Sequence, residues 1–367
     1  MSLNLPNIDV IFSKLASTLE GRSQKENVIL IIKDDTDKTF STKVYTDATV
    51  AAKDSALYTP ANLMYITDAF IGEPAKVTVI RIDATGGKIA DALTIAGTLE
   101  RGWIGTPSEV QADQDAITSF IKDQVAKKRY YFGIVFNSTV PPNFKFVTNI
   151  DNPKVTFKGS RGEQTSNEAI PTLLGYFAGN AITRSATNLV IENLVSVQEN
   201  TDVNADINNG KMPLINDNDD GENKVRIGLA INSLTDDDAI EDEKFIEIVE
   251  AEALIATDVR NTFKNDWQGK VKNTPDHQVL FVSAVNGFYK ELTKEENGGI
   301  LDENFDNASY IDTDVQKKAL VAAGVSGASS FTDAQVKQTV IGRKVFLKSN
   351  IKILFAMTDL TLNNMLN

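Results

Sequence analysis

Val28-Ile29-Leu30-Ile31-Ile32 is an unbroken apolar run that stops at Asp34-Asp35-Thr36. A strand with one wet face alternates apolar and polar side chains. An unbroken run describes a strand covered on both faces, as inside an α/β layer. The flanking segments extend this reading. Thr59-Pro60 opens a helix, with Thr as cap and Pro in the first turn, where its missing N–H costs nothing. That helix carries Leu63, Ile66, Ala69 and Phe70 and stops at Gly72. A strand over Lys76–Ile82 follows, then Gly86-Gly87 and a helix over Ile89–Leu99. Trp103-Ile104-Gly105 reads as a short strand, and Thr106-Pro107 opens a helix with Val110, Ile117, Phe120, Ile121 and Val125 on one face. Tyr130–Phe136 is a strong strand. Strand and helix in alternation predict a mostly parallel sheet with helices on its faces. Val155–Phe157, Asn188–Ile191 and Val225–Ile231 continue as strands, and Ser166–Phe177 as a helix that Pro171 starts late or kinks.

With 367 residues the chain has room for two domains, or for one large domain and an appendage. An apolar content of 42% and a mean hydropathy of −0.18 describe a globular chain. No apolar run approaches the ~20 residues of a membrane helix, so direct membrane insertion is not expected. Met1-Ser2-Leu3-Asn4 has no basic or apolar leader pattern, so no signal peptide is expected. The absence of cysteine excludes disulfides and thiolate metal sites. A net charge of −13 speaks against a nucleic-acid-coating role, which draws its affinity from phosphate neutralisation.

The charge is unevenly placed. Asp236, Asp237, Asp238, Glu241, Asp242 and Glu243 crowd one segment, a like-charge run that cannot bury itself and marks a domain boundary. Beyond it an apolar stripe at helical spacing runs Phe245, Ile248, Val249, Ile255, Val259, Phe263. After an Asn/Lys-rich break over 267–275, a second stripe runs Phe281, Val285, Phe288, Leu292. Between Ala334 and Met357 there are five basic residues and no acidic one: Lys337, Arg343, Lys344, Lys348 and Lys352. Alternation over 344–353 predicts a strand with Lys344, Phe346, Lys348 and Lys352 on one face. Those lysines either solvate an edge strand and deter unwanted pairing, or meet an acidic surface on a neighbour or another component. Both termini have strand-like alternation, with Ile8, Val10 and Phe12 at one end and Leu360 and Leu362 at the other. The first of these joins the chain's own sheet or pairs outside it.

Chemistry-bearing patterns fail one by one. The single histidine, His277, lies just after Pro275, in what reads as a turn, and no G-x-S-x-G elbow is present, so a serine-hydrolase site is not expected. Asn216–Gly221 resembles the start of a calcium loop, but Ile227 stands where a bidentate Glu is required, and an acidic hairpin turn fits better. No G-x-x-x-x-G-K-[ST] or G-x-G-x-x-G occurs, so no nucleotide cofactor is expected.

The phrases DVRNTFKNDWQGKVKNTPDHQVLFVSAVNGFY (258–289), ILDENFDNASYIDTDVQKKAL (300–320), TDAQVKQ (332–338) and KVFLKSNIKIL (344–354) stand in one order over about a hundred residues. That order resembles the C-terminal domain of contractile tail sheath proteins, in a minimal short form. The resemblance continues more weakly through Phe177–Ser185 and Lys224–Thr235. It implies an N-terminal arm over 1–21, a subtilisin-like α/β domain over 22–235, an α+β C-terminal sheath domain over 236–356 and a C-terminal arm over 357–367. It further implies a non-enzymatic, cofactor-free subunit that polymerises helically around a tail tube. Ile8, Val10, Phe12, Leu360 and Leu362 would anchor its strand-exchanging arms. Lys337, Arg343, Lys344, Lys348 and Lys352 would face the tube or a neighbour. Baseplate and tail terminator proteins are the other implied partners. Assembly would take place in a bacterial host cytoplasm before life in a virion, an R-type bacteriocin or a similar extracellular particle. From the residues alone, a soluble α/β binding module, or a hydrolase relative that closes as a small oligomer, stays open.

Overall fold

β1 (Asn27–Lys33) is buried at every position but the last, as a strand with helices on both faces must be. It pairs in parallel with β3 (Lys76–Ile82) on one side and β4 (Trp103–Gly105) on the other. The sheet continues through β5 (Phe132–Phe136) and β6 (Val147–Ile150), also parallel, to the two-residue β10 (Lys211–Met212). Its far edge is β2 (Thr42–Tyr45), antiparallel to β3. The seven-stranded order is β10-β6-β5-β4-β1-β3-β2. The computed structural model describes residues 26–138, 140–219, 221–236 and 238–363.

Helices α1 (Ala48–Lys53), α2 (Pro60–Asp68), α3 (Ile89–Ala96), α4 (Gln111–Ala126) and α5 (Ile170–Gly179) complete the layers. α2 and α5 pack against each other and on β1, whereas α3 and α4 pair together and cover β3 and β5. Two strand glycines show how tightly these layers close. A Cβ on Gly105 would strike Ile170 of α5, and one on Gly133 would strike Ile121 of α4. Trp103 lies between the rings of Phe132 and Phe177, at 5.1 and 4.7 Å, and anchors the middle of this core.

Most expected elements are found, with instructive differences. Thr59 caps α2 by accepting from the Asn62 N–H. Pro171 does start its helix late: residues 166–169 form a 3₁₀ turn before α5. Thr106-Pro107 does not open α4, which begins at Gln111. Thr106 instead accepts from the Ser108 N–H, and the Ser108 hydroxyl donates to Asp113, so 106–110 is held as a loop. Val155–Phe157 is a strand, β7 (Lys154–Phe157), but in a separate antiparallel sheet with β8 (Gly162–Thr165) and β9 (Leu194–Val197). Asn188–Ile191 pairs with residues 225–227 around a single bridge from Val190 to Arg226, the Asn188 and Ile191 N–H groups donating to the Ile227 and Val225 carbonyls at 2.7 and 2.8 Å, without extending into a regular strand. α6 (Val203–Asn208) leads into β10, and β11 (Leu214–Asp217) and β12 (Lys224–Ile227) form the expected acidic hairpin.

Arg161, in the β7–β8 turn, ties this small sheet to α2. Its guanidinium pairs with Asp68 and Glu168 and lies 3.5 Å over the Phe157 ring. Burial pushes the Asp68 carboxyl up, and the Arg161 charge only partly offsets it.

The chain divides into two compact units within α7 (Ile246–Thr262), between Glu250 and Ala251, and residues 355 onward group with the first unit. There Phe355 meets Phe245 edge-on at 5.1 Å, and the Ala356 N–H donates to the Glu247 carboxylate at 3.1 Å. The second unit, residues 251–354, holds the rest of α7, a π-helical turn Phe263–Trp267, and α8 (Pro275–Leu292). It continues with β13 (Ala308–Ile311), α9 (Thr313–Ala322), α10 (Asp333–Lys337) and β14 (Leu347–Asn350). Leu320, Ala328 and Val336 form a small core there, and Thr332 and Gln335 cap α10 reciprocally.

α2 and α5 cross backbone to backbone. A Cβ on Gly175 would fall inside contact distance of the Ala69 carbonyl, and one on Gly179 inside that of Gly72. Gly175→Ala is therefore expected to lower the unfolding free energy by about 1–3 kcal/mol, read from urea denaturation. A second expectation concerns α7. Burial, the Glu26 charge and the Glu247 charge push the Glu250 carboxyl well above its ordinary range, and burial also raises Glu247. The folded chain thus keeps protons that the unfolded chain releases near pH 4.3, and unfolding free energy falls as pH rises through the raised values. Glu250→Gln should raise the urea midpoint at pH 7.5 and flatten the difference between pH 5.5 and 7.5.

Candidate assembly surface

The second unit contains a two-stranded sheet whose edges are treated differently. β13 and β14 pair antiparallel, with Ser309 opposite Ser349 and Ile311 opposite Leu347. The outer edge of β13 is closed by a side chain: Asn286 of α8 donates to the Ser309 carbonyl at 3.2 Å and accepts from the Ser309 N–H at 2.6 Å. One amide thus takes the place of a neighbouring strand. The outer edge of β14 has no strand beside it among the described residues. A groove of about 360 Å³ adjoins the start of β14, lined by Ile255, Val259, Phe263, Phe281, Val345 and Leu347. An unpaired strand edge next to an apolar trough has the form that β-strand addition uses: main-chain groups for affinity, pockets for alternate side chains.

The basic residues do not form one face. Lys352 is neutralised by Asp302 at 2.9 Å, and that pairing, with the Asn304 N–H, holds the Asp302 carboxyl below its ordinary range. Lys348 is exposed on β14 opposite Tyr310, and Lys337 ends α10. Arg343 and Lys344 sit in a tight turn closed by a bridge between Ile341 and Lys344, with Gly342 at φ 51°. Asn273 fastens this turn by donating to the carbonyls of Gly342 and Lys344, at 2.9 and 3.1 Å.

Of the arm residues, Leu360 is 88% and Leu362 71% exposed, with Met357 fully so. The strand expected there is not formed: residues 354–363 have no regular structure, because a strand needs a partner for its N–H and C=O groups. Ile8, Val10 and Phe12 lie outside the described residues.

Among the described residues the candidate sites for chemistry do not come together. His277 is in the first turn of α8 rather than in a turn before it, and its ring Nδ1 is 2.6 Å from the Lys272 carbonyl, not beside a hydroxyl nucleophile. The chain reverses its building direction between β1 and β4, the place where open α/β sheets bind ligands. Here that crevice is used by the protein's own groups. Lys33 pairs with Asp113 at 2.7 Å, Asn167 donates to the Pro107 carbonyl, and Asp34 accepts from Asn62 and from the amides of Thr36 and Thr59. Burial alone would raise the Asp34 carboxyl; those amide bonds outweigh it and hold it low. Among the described residues no three His, Cys, Asp or Glu converge on a metal position, and no helix is long and apolar enough to cross a membrane.

Residues 236–367 match the family model of the phage tail sheath C-terminal domain. This part of the chain is similar to tail sheath C-terminal domains. Over 369 aligned residues the chain is 27% identical to the tail sheath protein of Clostridium phage phiCD119, covering 98% of each. Its fold is shared with the sheath tail protein Lin1278 of Listeria innocua, at a TM-score of 0.67, 13% identity and coverage of 83% of this chain and 93% of that one. The anti-feeding prophage sheath in its contracted state gives 0.65 at 12% identity, covering 94% and 93%. The open edge of β14 therefore lies in the region similar to tail sheath C-terminal domains. Asn286 escaped the sequence reading although it breaks the apolar face between Val285 and Phe288, a polar residue where only a main-chain partner would suit it. Asn286→Ala should leave both Ser309 groups unpaired and destabilise the chain by about 1–3 kcal/mol, measured by urea unfolding.

Proposed function

We propose that this chain is the structural, non-catalytic subunit of a contractile tail sheath, polymerising helically around a tail tube and contracting to drive the tube through a target cell envelope. The observation that carries this reading is the open edge of β14 beside its apolar groove, in a chain whose own segment over 357–363 has no regular structure and exposes Met357, Leu360 and Leu362. A contact between two different surfaces of one chain does not close on itself and generates a filament. In this reading the arms over 1–21 and 357–367 add strands to neighbouring C-terminal domains, with Ile8, Val10, Phe12, Leu360 and Leu362 as anchors. The body over 22–235 is the subtilisin-like part and moves as a block. Baseplate and terminator proteins bound the polymer, which forms in a host cytoplasm and acts in a virion or tail-like particle.

Magnitudes say what holds an arm. Ordering six residues costs about 6–12 kcal/mol. Four to six main-chain hydrogen bonds return about 1 kcal/mol each net. The balance falls to the side chains: burying Leu360 and Leu362 contributes about 1.5–3 kcal/mol apiece. One arm alone is marginal, which keeps free subunits apart until several contacts form together.

Electron microscopy of the purified chain should show hollow rods or rings. A monodisperse monomer or small closed oligomer at high concentration would overturn the reading. Deleting 357–367 or 1–13 should abolish rods while the far-UV circular dichroism and unfolding midpoint stay near wild type. Leu360→Ala with Leu362→Ala should raise the critical concentration at least a hundredfold.

A further inference from the structure

The second unit carries a second cleft, which adjoins the groove beside β14 and shares Phe263, Phe281 and Val345 with it. It has a volume of about 850 Å³ and lies between the π-helical turn, the 268–273 connection and the 342–345 turn. Its floor is aromatic, from Trp267 and Phe281, whose rings meet at 5.2 Å. Its rim is cationic: Lys270, Lys272, Arg343 and Lys344 are all exposed, and none forms an ion pair among the described residues. The Lys270 ammonium is turned onto the Asn265 carbonyl. Two polar atoms at the floor, Trp267 Nε1 and Gln278 Oε1, have no hydrogen-bond partner among the described residues. A π-turn interrupts α-helical bonding at an energetic penalty and is frequent at functional sites. Four uncompensated cations around an aromatic floor select a ligand that is anionic along its length and apolar at one point.

The chain contains such a segment. Asp236, Asp238, Glu241 and Asp242 are exposed and form no ion pair among the described residues, and in their midst Ile240 is 65% exposed. We infer that the basic cleft is the docking site for the Asp236–Asp242 segment of a second copy of this chain, with Ile240 inserted over Trp267 and the flanking carboxylates on the lysine and arginine rim. This gives the polymer a contact between rigid surfaces, separate from the arms, and it rests on the sheath reading for the identity of the partner. Complementary charge favours encounter and register, and the buried apolar side chain slows release.

Two experiments test it. A fluorescein-labelled peptide, LTDDDAIEDE, is titrated with the full chain and followed by anisotropy. Binding in the micromolar range is expected. It should weaken at least tenfold with the peptide substitution Ile240→Asp, with Lys270→Glu plus Lys344→Glu in the protein, and in 0.5 M salt. Absence of binding at millimolar protein, or binding indifferent to those changes, overturns the assignment. The chain has no cysteine of its own, so Ile240→Cys with Val271→Cys gives a clean cross-link. Oxidised rods should run as a ladder of multimers, and the control pair Val140→Cys with Val271→Cys should not. Rods that yield only monomer, whether the cleft holds the chain's own segment or a different acidic partner, overturn the second-copy assignment. If the cysteine variant forms no rods, the peptide titration decides alone. Failure of the wild-type chain to form rods overturns the sheath reading, while the titration still tests the cleft.

Discussion

Main-chain N–H and C=O groups that leave water must find partners, and the seven-stranded sheet and the β13–β14 pair meet that demand in different ways. Inside the seven-stranded sheet the demand is met by neighbouring strands. β1 has a neighbour on each side, the antiparallel β2 finishes one edge and the two-residue β10 the other, and helices cover both faces. In the C-terminal unit it is met on one side only. Asn286 completes β13 with a single side chain, and β14 has no further strand beside it among the described residues. A two-stranded sheet is marginal by itself, so the fold has room, chemically as well as sterically, for strands from elsewhere.

The parts legible in the sequence are those set by local pattern. The Val28–Ile32 run, the Thr59-Pro60 cap and the Phe281–Leu292 stripe each translate directly into an element, because periodicity and capping act over a few residues. What escaped depends on distant partners. β6, β8 and β9 have ordinary short sequences whose strand state is decided by pairing. Thr106-Pro107 looked like a helix start until Ser108 and Asp113 bonded across it. The lysine stripe over 344–352 was read as one face, yet Lys352 pairs with Asp302 and Lys344 belongs to a turn. No one-dimensional reading shows that Lys270 and Lys272 come to share a cleft with Arg343 and Lys344, some seventy residues on in the chain.

Electrostatics divides labour in the same manner. Inside the α/β unit, charges are consumed: Lys33 by Asp113, Arg161 by Asp68 and Glu168, Arg226 by Asp217. At the 236–242 segment and around the cleft they are left over, of opposite sign in the two places. Surface charges contribute little to the stability of one chain. Arranged this way they bias which surfaces of separate chains meet, and in which register.

The pinning of Ala356 to Glu247, with Phe355 against Phe245, fixes where the C-terminal segment leaves the folded body. From that point to Leu362 there are six residues, and an extended chain covers about 3.3–3.6 Å per residue. The segment therefore reaches about 20 Å at full extension, and under the strand-exchange proposal it is slack when neighbours are close and taut when they separate. Its length is also a phase. Removing one residue shortens the reach by about 3.4 Å and turns Leu360 and Leu362 to the opposite face of any strand they form. The spacing from the anchor thus couples how far two chains move to which side chains they present to each other.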